Sequence, residues 1–279
     1  MPVKINIKSK IIGDGEPPCI MGVVNCSPES FYQPSVKLTP KDLAEYTLKL
    51  VEDGVDIIDI GGASTAPTSF YPGSNYVSEE EELSRIEKAL PVIRDCTNLP
   101  LSVDTMRAKV AERALRLGAD IINDVSGLKK DENMKRVISE YSPYLILMAS
   151  RKEAGDINSI NEMVQALKES VKLAVEAGAD TSKIIIDPGF GFGKPFELNI
   201  QILKNIQILK IFRKPILIGL SRKAFIKKLV DSNQDKDILT GSIIAAAIAV
   251  LKGAHIIRTH DVKETRTLSK FISRYNLIK

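Results

Sequence analysis

The sequence predicts a (β/α)8, or TIM, barrel, and three observations carry that prediction. Eight short apolar segments recur along the 279 residues, at 18–25 (PCIMGVVN), 55–62 (VDIIDIGG), 100–105 (PLSVDT), 119–127 (ADIINDVSG), 144–149 (YLILMA), 184–189 (IIIDPG), 215–221 (PILIGLS) and 255–261 (HIIRTHD). Each is followed by a stretch with helical periodicity, and such alternation over about 250 residues is the pattern of this fold. Nearly every apolar segment closes on Asn, Asp, Lys, Arg or His. In these barrels the carboxyl ends of the strands build the active site, so the closing residues are its candidates.

The elements follow in order. Residues 1–17 alternate apolar and polar on either side of Gly13-Asp14-Gly15, which predicts a small hairpin capping the amino-terminal mouth of the barrel. Helices are expected at 40–53, 78–94, 106–117, 130–140, 158–177, 196–210, 222–231 and 237–252, with a last one near 263–275. Thr39-Pro40 and Ser78 before acidic residues are start signals, and Gly54, Gly118 and Gly178 are stops. The connections 26–39, 63–77 and 150–157 exceed the usual two to six residues or so of α/β units, a mark of binding loops or lids. The run 240–253 (TGSIIAAAIAVLKG) is apolar almost all round, which suits either burial or a subunit interface.

No linker or charge run interrupts the alternation, so residues 1–279 read as one domain. The net charge of +4 is small and spread out, which gives no case for nucleic acid. Cys19, Cys26 and Cys96 are odd in number and lack metal-ligand spacing, as expected of reduced thiols in the cytoplasm. Neither a signal peptide nor an apolar run long enough to span a membrane is read from the chain.

At the strand ends stand Asn25, Asp59, Asp104, Asn123, Asp187, Ser221-Arg222-Lys223, Arg258 and His260. With His255 and His260 the sole histidines and no nucleophile elbow, a Ser-His-Asp scheme and a multi-histidine metal site are both excluded. Carboxylates and carboxamides together suit a flat heterocycle carrying N–H donors and ring acceptors. Arg258 and His260 occupy alternate positions and so share a side, where they suit a phosphate or pyrophosphate. DPGFGFGK (187–194) lacks the Walker order; its glycines permit close backbone approach, and Phe190 or Phe192 offers a ring face.

These same residues resemble the dihydropteroate synthase family. MGVVNCSPESF (21–31), IIDIGGAST (57–65), SVDT (102–105), IINDVSG (121–127), DPGFGFGK (187–194), GLSRKAF (219–225) and GAHIIRTHDVKET (253–265) match its motifs in order across nearly the whole barrel. The resemblance implies condensation of 6-hydroxymethyl-7,8-dihydropterin pyrophosphate with an arylamine such as p-aminobenzoate, releasing pyrophosphate. It implies that Asp104, Asn123, Asp187 and Lys223 bind the pterin edge, that Met148 and Phe192 line its faces, and that Thr65 and Arg222 also contact substrate. Lys223, Arg258 and His260 would carry the chemistry, Arg258 and His260 by holding the leaving anion, with Asn25 helping to bind Mg2+. A homodimer through late helices is also implied. Asp59 is left outside this set, as a brace for Asn25 or for nearby backbone.

The covering loops depart from the family pattern. Glu29 stands for its Asp, and Gly62-Ala63-Ser64-Thr65-Ala66-Pro67-Thr68 lacks the usual glutamate and arginine. Met148-Ala149-Ser150-Arg151 replaces Met-His-Met, and Ala224 replaces a hydroxyl residue. The pterin floor is therefore expected to persist, with Arg151 a candidate to supply the missing cation from across the mouth. Two other readings stay open at this point: a pterin-binding methyltransferase serving a corrinoid protein, and a non-catalytic pterin-binding protein. The Arg258/His260 pair and the Ser-Arg-Lys triplet favour the synthase.

Overall fold

The computed structural model describes residues 2–28, 33–64, 77–152 and 155–277. A two-stranded antiparallel hairpin, β1 (Lys4–Ile7) and β2 (Lys10–Gly13), precedes the first barrel strand, β3 (Cys19–Asn25). Then follow α1 (Pro40–Glu52), β4 (Ile57–Gly61), α2 (Glu79–Cys96), β5 (Leu101–Asp104), α3 (Ala108–Arg116), β6 (Ile121–Asp124), α4 (Met134–Tyr141) and β7 (Tyr144–Met148). The chain continues through α5 (Ile160–Glu176), β8 (Ile184–Asp187), α6 (Phe196–Lys204), β9 (Leu217–Ile218), α7 (Ala224–Val230), α8 (Asp235–Leu251), β10 (Ile256–Thr259) and α9 (Val262–Leu277).

The eight later strands pair in parallel in the order β8-β7-β6-β5-β4-β3-β10-β9, and a bridge between Ile186 and Ile216 joins the two ends into a nearly closed barrel. The expected (β/α)8 architecture is therefore present. Helix starts follow the sequence signals: Thr39 Oγ1 accepts the Asp42 N–H at 3.1 Å and Ser78 Oγ that of Glu81 at 3.1 Å. Gly54, Gly118 and Gly178 close helices with φ of +88°, +94° and +83°, values a side chain would oppose.

Three expectations are corrected. The hairpin turns at Lys8-Ser9, with Lys8 at φ +52°, while Gly13-Asp14-Gly15 carries the chain away from it. The seventh strand shortens to two residues, Leu217–Ile218, with Ile216 before it joined to Ile186 by an isolated bridge. The helix expected over 196–210 ends at Lys204 and resumes as a 3-10 segment, Ile206–Phe212.

Strand pleating sorts the interior into layers. At the bottom, Cys19, Met21, Ile57, Ile121, Ile146, Ile185, Leu217 and Ile256 form one cluster with Ile5, Ile7 and Ile12 of the hairpin, which plugs that mouth. Two residues further along their strands, the inward positions become Asp59, Asn123, Met148, Asp187 and Arg258. The alternate residues, such as Ile58, Ile60, Leu101, Val103, Ile122, Leu145, Leu147, Ile184, Ile186 and Ile218, face outward and pack under the helices. The aliphatic plug thus fixes a floor on which the polar layer stands.

Candidate active site

Register brings the polar layer together. Asp104 pairs with Gly61 on one side and Asn123 on the other, and Met148 lies opposite Asp187. At its centre is the Arg258 guanidinium, whose Nε donates to Asp59 Oδ2 at 2.7 Å and whose Nη2 donates to Asp104 Oδ2 at 3.0 Å. Asn123 Nδ2 also donates to Asp59 Oδ2, at 3.3 Å. Asp59 is fully buried. It therefore braces Arg258 and Asn123, a larger role than the sequence suggested, and its signal was there: it stands two residues after Ile57 on the inward face.

Asp104 is no helix cap. Thr105 Oγ1 instead accepts the Arg107 N–H at 3.2 Å, and Asp131 Oδ2 accepts that of Ala108 at 2.8 Å, which leaves Asp104 free to face inward. Burial pushes its carboxyl up to about 7, with Arg258 pulling the other way and Asp59 adding to the rise. One oxygen each of Asp59 and Asp104, their Oδ1 atoms, and Ser102 Oγ are buried without a hydrogen-bond partner among the described residues. Such atoms carry a desolvation cost that an incoming donor relieves.

On the opposite wall, Asp187 Oδ1 accepts the Gly189 N–H at 2.7 Å, and burial raises this carboxyl above its ordinary range. Gly189 has φ +70°, and a Cβ there would stand 2.9 Å from Lys194 Nζ and from Met148 Cγ, so only glycine lets the loop lie against the strand end. Lys194, unremarked in the sequence, is buried and donates to Gly189 O at 2.7 Å; burial lowers it to about 8. Phe190 stacks on Phe225 in the core, whereas Phe192, at φ +40°, lies under the Lys223 ammonium at 4.4 Å from its ring centre. Of the two rings, Phe192 is thus the one beside Lys223. Lys223 is lowered to about 8, first by burial and then by Arg258, with Asp187 and Asp104 opposing.

Beyond β10, His260 Nδ1 lies 3.0 Å from Ser221 Oγ. Burial holds His260 well below its ordinary value, and Arg258, Lys223 and Arg222 add to the effect, so the ring is neutral. Arg222 does not join the pocket as expected. Its Nε and Nη2 grip Asp261 at 3.0 and 2.7 Å and its Nη1 meets Asp235, so it ties the β9–α7 turn to the next two elements. Asn25 Nδ2 donates to Ser35 Oγ at 2.6 Å, which fixes the amide plane. Arg151, after the end of β7, is exposed and lies 3.9 Å from Glu162. Cys26 is buried, its thiol pushed up to about 12, so it offers no nucleophile. Thr65, with Glu29 and Ala66, lies outside the described residues.

The profile of the pterin binding enzyme family matches residues 21–260. A dihydropteroate synthase of Clostridium beijerinckii is 37% identical over 268 residues, covering 95% of this chain and 97% of its own length. The chain belongs to the dihydropteroate synthase family. Among solved structures, the Xanthomonas albilineans dihydropteroate synthase with 4-aminobenzoic acid superposes with a TM-score of 0.89 at 32% identity, over 100% of both chains. The same organism's enzyme in complex with 7,8-dihydropteroate gives 0.85 at 30% identity, over 99% of this chain and 100% of the other. Like other members of the family, the chain is a transferase that forms a C–N bond.

Proposed function

We propose that this chain acts as a single pterin-binding barrel that condenses 6-hydroxymethyl-7,8-dihydropterin pyrophosphate with p-aminobenzoate. The observation that carries the reading is the meeting of Asp104, Asn123, Asp187, Lys223 and Arg258, from five strand ends, within mutual electrostatic reach. A pterin edge presents N–H donors to carboxylates and a carbonyl and ring nitrogen to donors. Asp187 and Asp104 accept, Asn123 serves both senses, Lys223 donates, and Met148 and Phe192 line the faces.

In the reaction the bond between the pterin methylene and the pyrophosphate oxygen breaks, its electron pair leaving with the anion. The arylamine nitrogen bonds to the methylene and loses a proton. Arg258 commits two donors to carboxylates among the described residues, and its others, with His260, stabilise the departing charge without reorganising. No protein nucleophile is needed.

Among the described residues no cluster of three or more His, Cys, Asp or Glu is arranged as a metal cage. Mg2+ keeps its waters and prefers phosphate oxygens, needing only one or two protein ligands. Asn25 fits: its Nδ2 is held by Ser35, and Gly61 leaves room at its Oδ1, from which a Cβ there would be 3.4 Å. When bound, the ion would neutralise charge on the leaving pyrophosphate.

The free cysteines support work in a reducing compartment, the cytoplasm. Exposed Ile244, Ile248 and Leu251 on α8, with Phe271 and Tyr275 on α9, support a homodimer. The deciding experiment incubates the protein with dihydropterin pyrophosphate, Mg2+ and p-aminobenzoate. One pyrophosphate per dihydropteroate is expected; pterin binding without pyrophosphate release would overturn the proposal and favour a non-catalytic or methyltransferase role.

A further inference from the structure

We infer that Asn199 is a positioning residue: from behind the 187–194 loop it fixes the backbone on which Lys223 rests, and so sets how that ammonium meets the pterin. The pterin part of this inference rests on the function proposed above; the loop and Lys223 parts do not.

Gly189, Gly191, Phe192 and Gly193 stand at φ +70°, +75°, +40° and +75°, a run of left-handed backbone that includes one residue with a side chain. Such a conformation persists only where its surroundings over-determine it. Asn199, in the first turn of α6 and 1% exposed, does so here. Its Oδ1 accepts the Gly191 N–H at 2.7 Å, and its Nδ2 donates to Lys194 O at 3.0 Å and to Pro195 O at 2.9 Å. The loop is thus gripped just before and just after Phe192. A carboxamide offers an acceptor and two donors from one side-chain end, which neither a carboxylate nor an aliphatic group of this size does. Two further bonds, from Lys194 N–H to Gly191 O at 2.8 Å and from Gly155 N–H to Phe192 O at 3.1 Å, close the turn from other sides.

The clamped turn carries Lys223. A Cβ on Gly191 would stand 3.2 Å from Lys223 Cδ, so the Gly191 backbone lies along the lysine stem, while the Phe192 ring centre lies 4.4 Å from its ammonium. That wall contributes to the burial that lowers Lys223 to about 8; Arg258 and Lys194 lower it further, and Asp187 and Asp104 oppose. A loop freed from Asn199 admits water to the ammonium and favours its charged form. The mark of positioning is therefore a Lys223 that titrates higher, beyond any weakening of the fold.

The test compares Asn199→Ala with Ile202→Ala, a buried aliphatic position of the same helix that controls for lost packing. In 1H–13C spectra of protein labelled at lysine Cε, with the Lys223 peak identified by its loss in Lys223→Met, Asn199→Ala should raise the Lys223 midpoint by about one unit and Ile202→Ala should leave it in place. Calorimetry with 6-hydroxymethyl-7,8-dihydropterin should show binding weakened about fivefold or more in Asn199→Ala alone. In turnover, KM for the pterin pyrophosphate should rise by a like factor with kcat changed by less than about twofold.

An unmoved Lys223 midpoint in Asn199→Ala, or an equal shift in Ile202→Ala, overturns the inference. A shifted midpoint with native pterin affinity removes the pterin part, while condensation activity separately judges the proposed function. One measurement needs no change in α6: in the unmodified protein the Gly191 amide should exchange its hydrogen at least about a hundredfold more slowly than an open loop amide. Fast exchange at Gly191 overturns the inference whether or not Asn199→Ala folds.

Discussion

Asp59→Asn tests whether Arg258 is held in place by its carboxylates. In the native pocket the Arg258 Nε–Asp59 bond is 2.7 Å long and fully buried on the carboxylate side, while Asp104 supplies the second anchor at 3.0 Å. Exchanging carboxylate for carboxamide keeps a hydrogen bond from the charged guanidinium but removes the opposite charge on its acceptor, which weakens this anchor by about 1–2 kcal/mol. Two effects offset the loss in overall stability. Desolvation of a buried anion disappears, and so does the repulsion that raises Asp104.

The folded state should therefore change by less than about 1 kcal/mol in urea unfolding, with an unchanged slope. If Arg258 stabilises the departing pyrophosphate only from this position, kcat/KM should fall about 5–30-fold. Asp59→Ala differs, because it strips one of two carboxylates from a partly buried guanidinium and leaves the Asn123 amide without its acceptor, and it should cost about 1–3 kcal/mol of stability. Pyrophosphate release followed continuously gives the kinetic number. An Asp59→Asn enzyme with native kcat/KM would show that Arg258 does not depend on Asp59 for its catalytic placement.

The remaining predictions concern charge, recognition and the plug. With Asp104 near 7 and Lys223 near 8, kcat/KM should rise through the first value, as the acceptor ionises, and fall through the second, as the donor deprotonates; a flat profile across both would exclude these roles. The two limbs belong to the coupled cluster rather than to single residues. A raised carboxyl contributes stability that is full below its ordinary 3.8 and lost as the pH climbs through about 7, so Asp104→Asn should flatten the decline of urea midpoints over that window. Asp187→Ala should abolish pterin binding measured by calorimetry, since it removes a buried acceptor on the wall opposite Asp104; unchanged affinity would rule that contact out. Ile7→Ala, in the hairpin plug, should cost about 2–5 kcal/mol in unfolding while leaving KM native.

The architecture was legible because period-2 and period-3.6 patterns alternate cleanly, and because each apolar strand stops at a residue that water or ligand must meet. What the sequence hid was direction and partnership. Asp59 lies inside an apolar run, where it reads as a brace for Asn25 or nearby backbone; only closure of the barrel puts Arg258, 199 residues away, against it. Arg222 and Lys223 adjoin in sequence, yet a left-handed residue at Arg222, φ +58°, sends their side chains to opposite tasks. Lys194, unremarked in the sequence, is a buried strut beneath the glycine motif. Pairings across such distances leave no local signal, whereas pattern and punctuation do.

If Arg258 holds the departing anion as proposed, the pocket's charges would let it do so without trapping the product. Arg258 is already claimed by Asp59 and Asp104, so pyrophosphate meets a cation whose field is partly spent on carboxylates. A pterin donor bonded to Asp104, as proposed, would draw on the same carboxylate that binds the guanidinium and so strengthen the field left for the attached anion. A neutral His260 works in the same direction, since an N–H dipole stabilises developing charge yet binds a free anion less tightly than an imidazolium would. On that reading, selective stabilisation of the transition state over the product would come from sharing cations between floor and leaving group, not from adding more of them.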